Sequence, residues 1–232
     1  MSGDVVIDAR YCGPSESGNG GYVCGVFADR VGTDCEITLR KPPPLDQPMR
    51  IASDDNAWQL MHGEVLVAEA RTVDPIAVDL IAAPSLDEAR RASEGYIGFT
   101  KHPFPRCYVC GPERSDDDGF HIFAGPLGRD DAVASAWTPR PETVGSEASV
   151  PLEFVWAALD CPGGLSVIDD QFSAVVLGRF AARQIAPLNV GQTYAAAGWK
   201  VAQDGRKYST ASALFDSDGD AKAIARATWI AL

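Results

Sequence analysis

Asp160 is the residue whose surroundings most plainly call for a chemical role. It follows Phe154-Val155-Trp156-Ala157-Ala158-Leu159, a mostly apolar run that reads as helix. A carboxylate buried among such residues is costly unless a partner or a reaction uses it. It can act as a general base on water, or hold that water in place. It can also cap a new helical segment beginning at Pro162, taking the amides of Gly163 or Gly164. The second candidate is Asn19-Gly20-Gly21, ahead of the apolar stripe Tyr22, Val23, Val26, Phe27 and Val31. Amides at a helix start can bind a developing oxyanion, helped by the positive end of the helix dipole. The same glycines can instead permit a tight turn or close helix–sheet packing.

Cys107 and Cys110 form a Cys-x-x-Cys-Gly element flanked by His102 and His121. Two thiols and two imidazoles are a zinc-like set, but the second half lacks a spaced ligand pair. The expectation is therefore a reduced turn packed as small hydrophobes, with no metal and no cofactor. Cys24 and Cys161 have no histidine fixed beside them in sequence, which argues against a cysteine nucleophile. His62 falls at a hairpin turn. Asp116-Asp117-Asp118 lacks the downstream glutamate of a calcium loop, and Lys41-Pro42-Pro43-Pro44 reads as a stiff connection. Arg179, Arg183 and Lys200, on strand-like segments, are cations that can meet phosphate or simply face solvent.

The 232 residues carry 20 basic and 32 acidic side chains, a net charge of −12. That balance repels phosphate backbones and anionic lipid, so neither nucleic acid nor a membrane surface is the expected partner. Asp4, Asp8 and Arg10 interrupt the early apolar stretch, and no run approaches the ~20 apolar residues of a membrane helix. With six scattered cysteines, the expected setting is cytoplasmic, with thiols reduced.

The elements that must position these residues recur. Gly20-Gly21 returns as Gly163-Gly164, 143 positions on, and at that offset Arg40, Pro44 and Leu45 meet Arg183, Pro187 and Leu188. Trp58 meets Trp199 after a shift of two. Each copy reads as a helix followed by strands, the helices starting near Asn19 and Pro151. Cys35–Arg40, Val175–Ile185, Ala195–Ala202, Lys207–Phe215 and Ala223–Ala231 read as strands. Ala57–Val73 reads as a hairpin turning near His62-Gly63, and Asp204-Gly205 and Asp218-Gly219 are turn signals. Pro84–His102 reads as a short helix and linker. The expected organisation is thus α+β, with repeats at 1–97 and 98–232 that pair edge to edge and bury two central helices.

These residues resemble the hotdog thioesterase superfamily, in particular its double-hotdog acyl-CoA thioesterases, in which an antiparallel sheet wraps a long central helix in each of two tandem repeats. The likeness rests on Asn19-Gly20-Gly21-Tyr22-Val23-Cys24-Gly25 and on Ala157-Ala158-Leu159-Asp160. Cys107-Tyr108-Val109-Cys110-Gly111-Pro112 with Gly119–Phe123 is similar to the lead-in to the first strand of small single-hotdog thioesterases. The resemblance implies an intrachain pseudo-dimer, monomeric or paired as a homodimer. It implies hydrolysis of acyl-CoA or another small thioester by water activated at Asp160, the carbonyl held by the Gly20-Gly21 amides. Asn19, Tyr22, Trp156, Gly163 and Gly164 would line the substrate. Those enzymes add a threonine and a glutamine, whose positions fall near Leu177 and near Arg226 or Ala227, so only Asp160 carries over. The rival reading is a non-catalytic binder of acyl-CoA or a small apolar ligand. A hotdog dehydratase or hydratase needs a catalytic histidine paired with an acid in a motif absent from the sequence.

Overall fold

Asn19 opens α1 (Gly20–Val31): its Oδ1 accepts from Tyr22 N at 2.9 Å, and Gly32 closes the helix in the left-handed region at φ +73°. This computed structural model describes residues 4–54, 57–168 and 174–232. A short β1 (Val5–Val6) precedes α1, and β2 (Cys35–Leu39), β3 (Pro48–Asp54), β4 (Ala57–His62) and β5 (Val65–Thr72) follow it. Ser85 and Glu88 form a reciprocal cap at the start of α2 (Leu86–Glu94). Then come β6 (Gly125–Pro126), β7 (Ala132–Trp137), α3 (Pro141–Val144) and α4 (Leu152–Leu165). The chain closes with β8 (Val175–Gln184), β9 (Tyr194–Asp204), β10 (Lys207–Phe215) and β11 (Ala221–Ala231).

Among the described residues the strands form one antiparallel sheet in the order β1-β3-β4-β5-β2-β8-β11-β10-β9-β7-β6. From the centre outward, the first half runs β2, β5, β4, β3 and the second runs β8, β11, β10, β9. The halves meet where Ile37 pairs with Phe180 and Thr38 with Arg179. The strands' period of two gives the sheet two apolar faces. Ala196 of β9 points to the core that holds α1 and α4, with Phe27, Val155, Leu159 and Phe180. Ala195 and Ala197 point the other way, to a smaller core with Ile76, Ala89 and Ala92. The segment from Ile76 through α2 therefore covers the outer face of the second half. No helix among the described residues is long and apolar enough to cross a membrane.

The two long helices pack antiparallel at very close range. A Cβ added at Gly21 would lie 2.8 Å from Trp156 O, and one at Gly25 would lie 2.5 Å from Glu153 Cα. Moving forward along α1 thus means moving backward along α4. Gly20-Gly21 start α1, whereas Gly163-Gly164 sit in the last turn of α4 and pack on the sheet: a Cβ at Gly163 would lie 2.8 Å from Thr210 Oγ1. The glycine pairs of the 143-residue offset are therefore not equivalent in place. Trp58 and Trp199 lie on β4 and β9, third and fourth from the centre of their halves. Arg40 and Arg183 each lie near the end of a central strand, β2 and β8, and Pro44-Leu45 and Pro187-Leu188 lie in the connections that follow.

Pro162 does not begin a new segment; it lies inside α4. Gly198 of β9 has no side chain there, so the helix comes within 2.6 Å of where a Cβ would be. Gly119–Phe123 is irregular rather than a strand, and the pairing of this half begins at β6 and β7.

Candidate active site

Asp160 is brought to α1 by this close approach. Its Oδ2 accepts from Asn19 Nδ2 at 3.0 Å and from Gly21 N at 2.9 Å. A residue on the body of one helix thereby takes up a first-turn amide of the other, where the dipole favours negative charge. The residue is only 2% exposed, and its second oxygen, Oδ1, has no partner among the described residues. Burial pushes its pKa up to about 7, against the pull of the Gly21 amide and, more weakly, of Asn19. Asp160 therefore caps a helix, but the neighbouring one. Gly163 and Gly164 are not its partners.

A cavity of about 500 Å³ opens against this carboxylate. Asn19, Gly20, Asp160, Cys161 and Gly164 contribute to its inner wall, and Leu39, Leu165, Ile168, Leu177 and Trp229 make it largely apolar. Arg40 and Lys41 are the exposed cations of its lining, and Pro42 and Pro43 continue the same edge. Such a space takes an apolar chain with a polar head at one end.

The sequence candidates divide accordingly. Gly21 N–H is occupied by Asp160, whereas the Gly20 amide has no acceptor among the described residues and Gly20 lines the cavity. Tyr22 stacks on Tyr11, ring centroids 4.2 Å apart, and Trp156 meets Phe180 edge to face; neither lines the cavity. Gly163 lies behind the wall, against Thr210 and Trp229. Leu177, at the expected threonine position, presents an apolar side chain to the space. His62 Nδ1 lies 3.2 Å from Pro48 O at the hairpin, and His121 stacks on Phe123. Asp118 ties a loop to Arg10 and Arg114. Arg179, next to Glu36, and Lys200, over Tyr208, lie away from this cavity.

Sequence reading missed three features. Thr210 Oγ1 and Trp229 Nε1 are buried without partners among the described residues, and both lie close to where a Cβ on Gly163 would stand, one helical turn beyond Asp160. Cys161 joins Cys107 and Cys110, their sulfurs all within 4.8 Å of one another. His102 Nε2 lies 3.5 Å from Cys110 Sγ. Thiol hydrogen bonds from Cys110 and Cys161, with the Cys110 and Val109 amides, hold Cys107 below the ordinary thiol range. No local spacing pairs residue 161 with 107 and 110; only the fold does.

No family model matches the sequence, and no curated protein does. Among solved structures, a protein provisionally named thioesterase II from Thermobifida fusca superposes with TM-score 0.62 at 15% identity, covering 99% of this chain and 91% of its own. A conserved protein of unknown function with a hot dog fold, from Alicyclobacillus acidocaldarius, gives 0.61 at 11%, with coverage of 100% and 92%. The tesB protein of Mycobacterium avium subspecies paratuberculosis gives 0.58 at 10%, with coverage of 94% and 89%. Likeness at this level of identity, over nearly the full length of each chain, establishes architecture: the chain has the hotdog fold.

Proposed function

We propose that this protein hydrolyses small acyl thioesters, acyl-CoA among them. One observation carries the reading: a buried carboxylate on the wall of an apolar cavity, with one oxygen anchored by two donors and the other without a partner among the described residues. Asp160 Oδ1 would hold a water against the thioester carbonyl carbon and accept its proton as the C–O bond forms. The Gly20 amide at the positive end of α1 would receive the carbonyl oxygen. Collapse of the tetrahedral intermediate breaks the C–S bond; the departing thiolate takes the proton held on Asp160 to leave as thiol, and the carboxylic acid product remains. The acyl chain would lie along Leu39, Leu165 and Leu177, with the phosphates of a coenzyme A carrier toward Arg40 and Lys41. The names of the superposing thioesterases support the same class.

We further propose that the two halves, 1–97 and 98–232, are tandem hotdog repeats forming an intrachain pseudo-dimer. The identical strand order outward from β2 and β8, and the matching Pro-Leu connections, support this. A non-catalytic ligand binder is the second reading, favoured by the use of Asp160 to cap α1 and by Leu177 standing where the related enzymes carry threonine. Thiol release from a panel of short, medium, long and aromatic acyl-CoAs separates the two. Turnover that scales with enzyme concentration supports hydrolysis. Binding without release of thiol on any member of the panel would establish the binder instead.

A further inference from the structure

Four buried or half-buried groups outside the proposed hydrolytic step converge on one wall of the cavity: Cys107, Cys110, Cys161 and His102. None of the three thiols is in a disulfide. Cys107 and Cys161 sulfurs are 3.7 Å apart. Sulfurs bound at ~2.3 Å to a tetrahedral zinc ion are separated by ~3.8 Å, so the pair already stands at the edge length of a zinc tetrahedron. Cys110 completes a triangle of sulfurs within 4.8 Å.

Polar N–H groups also gather around the sulfurs. Asn19 Nδ2 comes within 3.8 Å of Cys107 Sγ and 4.0 Å of Cys161 Sγ. His102 Nδ1 accepts from Phe104 N at 2.9 Å, which places the imidazole proton on Nε2, directed at Cys110 Sγ. Asn19 and His102 thus place N–H groups beside all three sulfurs, and Asp160, whose Oδ2 takes the same Asn19 amide, lies next to the group. Three sulfurs deprotonated at this buried site, beside that carboxylate, would need a cation to balance them.

We propose that Cys107, Cys110 and Cys161 bind a thiophilic divalent cation, zinc foremost, through three sulfurs. Binding releases three protons as the thiols become thiolate ligands. His102 and Asn19 act from outside the coordination sphere, orienting and hydrogen-bonding the sulfurs. All three ligands line the cavity, so the fourth position faces it and takes water or a ligand atom, the pattern of an open site. The sequence alone argued the other way, because the third sulfur is 51 positions beyond Cys110.

The test is metal content, which does not depend on whether the protein hydrolyses thioesters. Protein purified without added metal should hold about one zinc per chain by elemental analysis. After chelation, Co²⁺ should restore a thiolate-to-cobalt charge-transfer band and the visible bands of a tetrahedral ion. Cys107→Ala and Cys161→Ala should lose the metal, while Cys24→Ala, a buried thiol outside the cluster, should retain it. His102→Ala should stay stoichiometric while losing roughly 10–100-fold in affinity. Wild-type protein with neither bound zinc nor a cobalt band would overturn the proposal, whatever the folding of the variants, and so would a native Cys107–Cys161 disulfide. Loss of all metal in His102→Ala would overturn the three-sulfur assignment.

Discussion

Gly21→Ala tests the close approach of α1 and α4, on which the placement of Asp160 depends. In an exposed helix the change would stabilise by up to ~1 kcal/mol, since alanine is the better helix former. Here the new Cβ would stand 2.8 Å from Trp156 O and 3.0 Å from Asp160 Cγ. Both neighbours belong to the packed body of α4 rather than to the end of a flexible side chain, so the helices must part by several tenths of an ångström or more. Overpacking of this kind costs ~1–3 kcal/mol. The Gly21 N–Asp160 Oδ2 bond, 2.9 Å long, stretches as they part. Losing a hydrogen bond to a charged group removes a further ~1.5–3 kcal/mol. Offset by the propensity gain, the expected net loss is ~1.5–5 kcal/mol, or ~3–20 °C in Tm for a chain of this size. Thermal and urea denaturation of the purified variant measure it. Gly25→Ala, whose Cβ would meet Glu153 Cα at 2.5 Å, is the comparison: it strains the same crossing but leaves the Asp160 hydrogen bonds alone. Gly21→Ala should therefore lower turnover more than Gly25→Ala at matched stability. A Gly21→Ala protein as stable as wild type would refute the close crossing.

Two other perturbations probe the scaffold and the cavity. Gly198→Ala should destabilise by at least the ~1–3 kcal/mol of overpacking, because its Cβ would press on the Pro162 carbonyl and come within 2.6 Å of Gly163 N; urea titration reads this directly. Leu177→Trp should fill part of the ~500 Å³ cavity and shift preference toward shorter acyl chains. A panel of acyl-CoA chain lengths would show the shift, and an unchanged preference would place the acyl chain elsewhere.

The sequence was most informative where local chemistry decides structure. Asp204-Gly205 and Asp218-Gly219 each join two strands, and both glycines have positive φ, the backbone conformation these turn signals call for. The alternation of Lys207–Phe215 marks β10 at its true limits. β3 carries no such local signal: it opens on a proline, and its pairing with β4 is what makes it a strand. The glycine pairs misled because glycine serves two purposes, freeing amides at the start of α1 and admitting strands against the end of α4. Asp160 stood out because a carboxylate in an apolar helix needs a partner. That the partner would be another helix's start, 139 positions earlier at Gly21, depends on tertiary packing alone. The same holds for Cys161, Thr210 and Trp229, whose neighbours are distant in the chain.

Asp160→Asn tests the central claim most directly, measured as steady-state thiol release on the best acyl-CoA substrate, with the variant's stability and ligand affinity recorded alongside. The amide keeps an oxygen for Asn19 Nδ2 and Gly21 N, so the fold and binding should persist. The base is lost, and turnover should fall by the ~10²–10⁴ expected for a general base. An Asp160→Asn protein that turns over at the wild-type rate would contradict the assignment of Asp160 to the chemistry and leave it as the cap of α1.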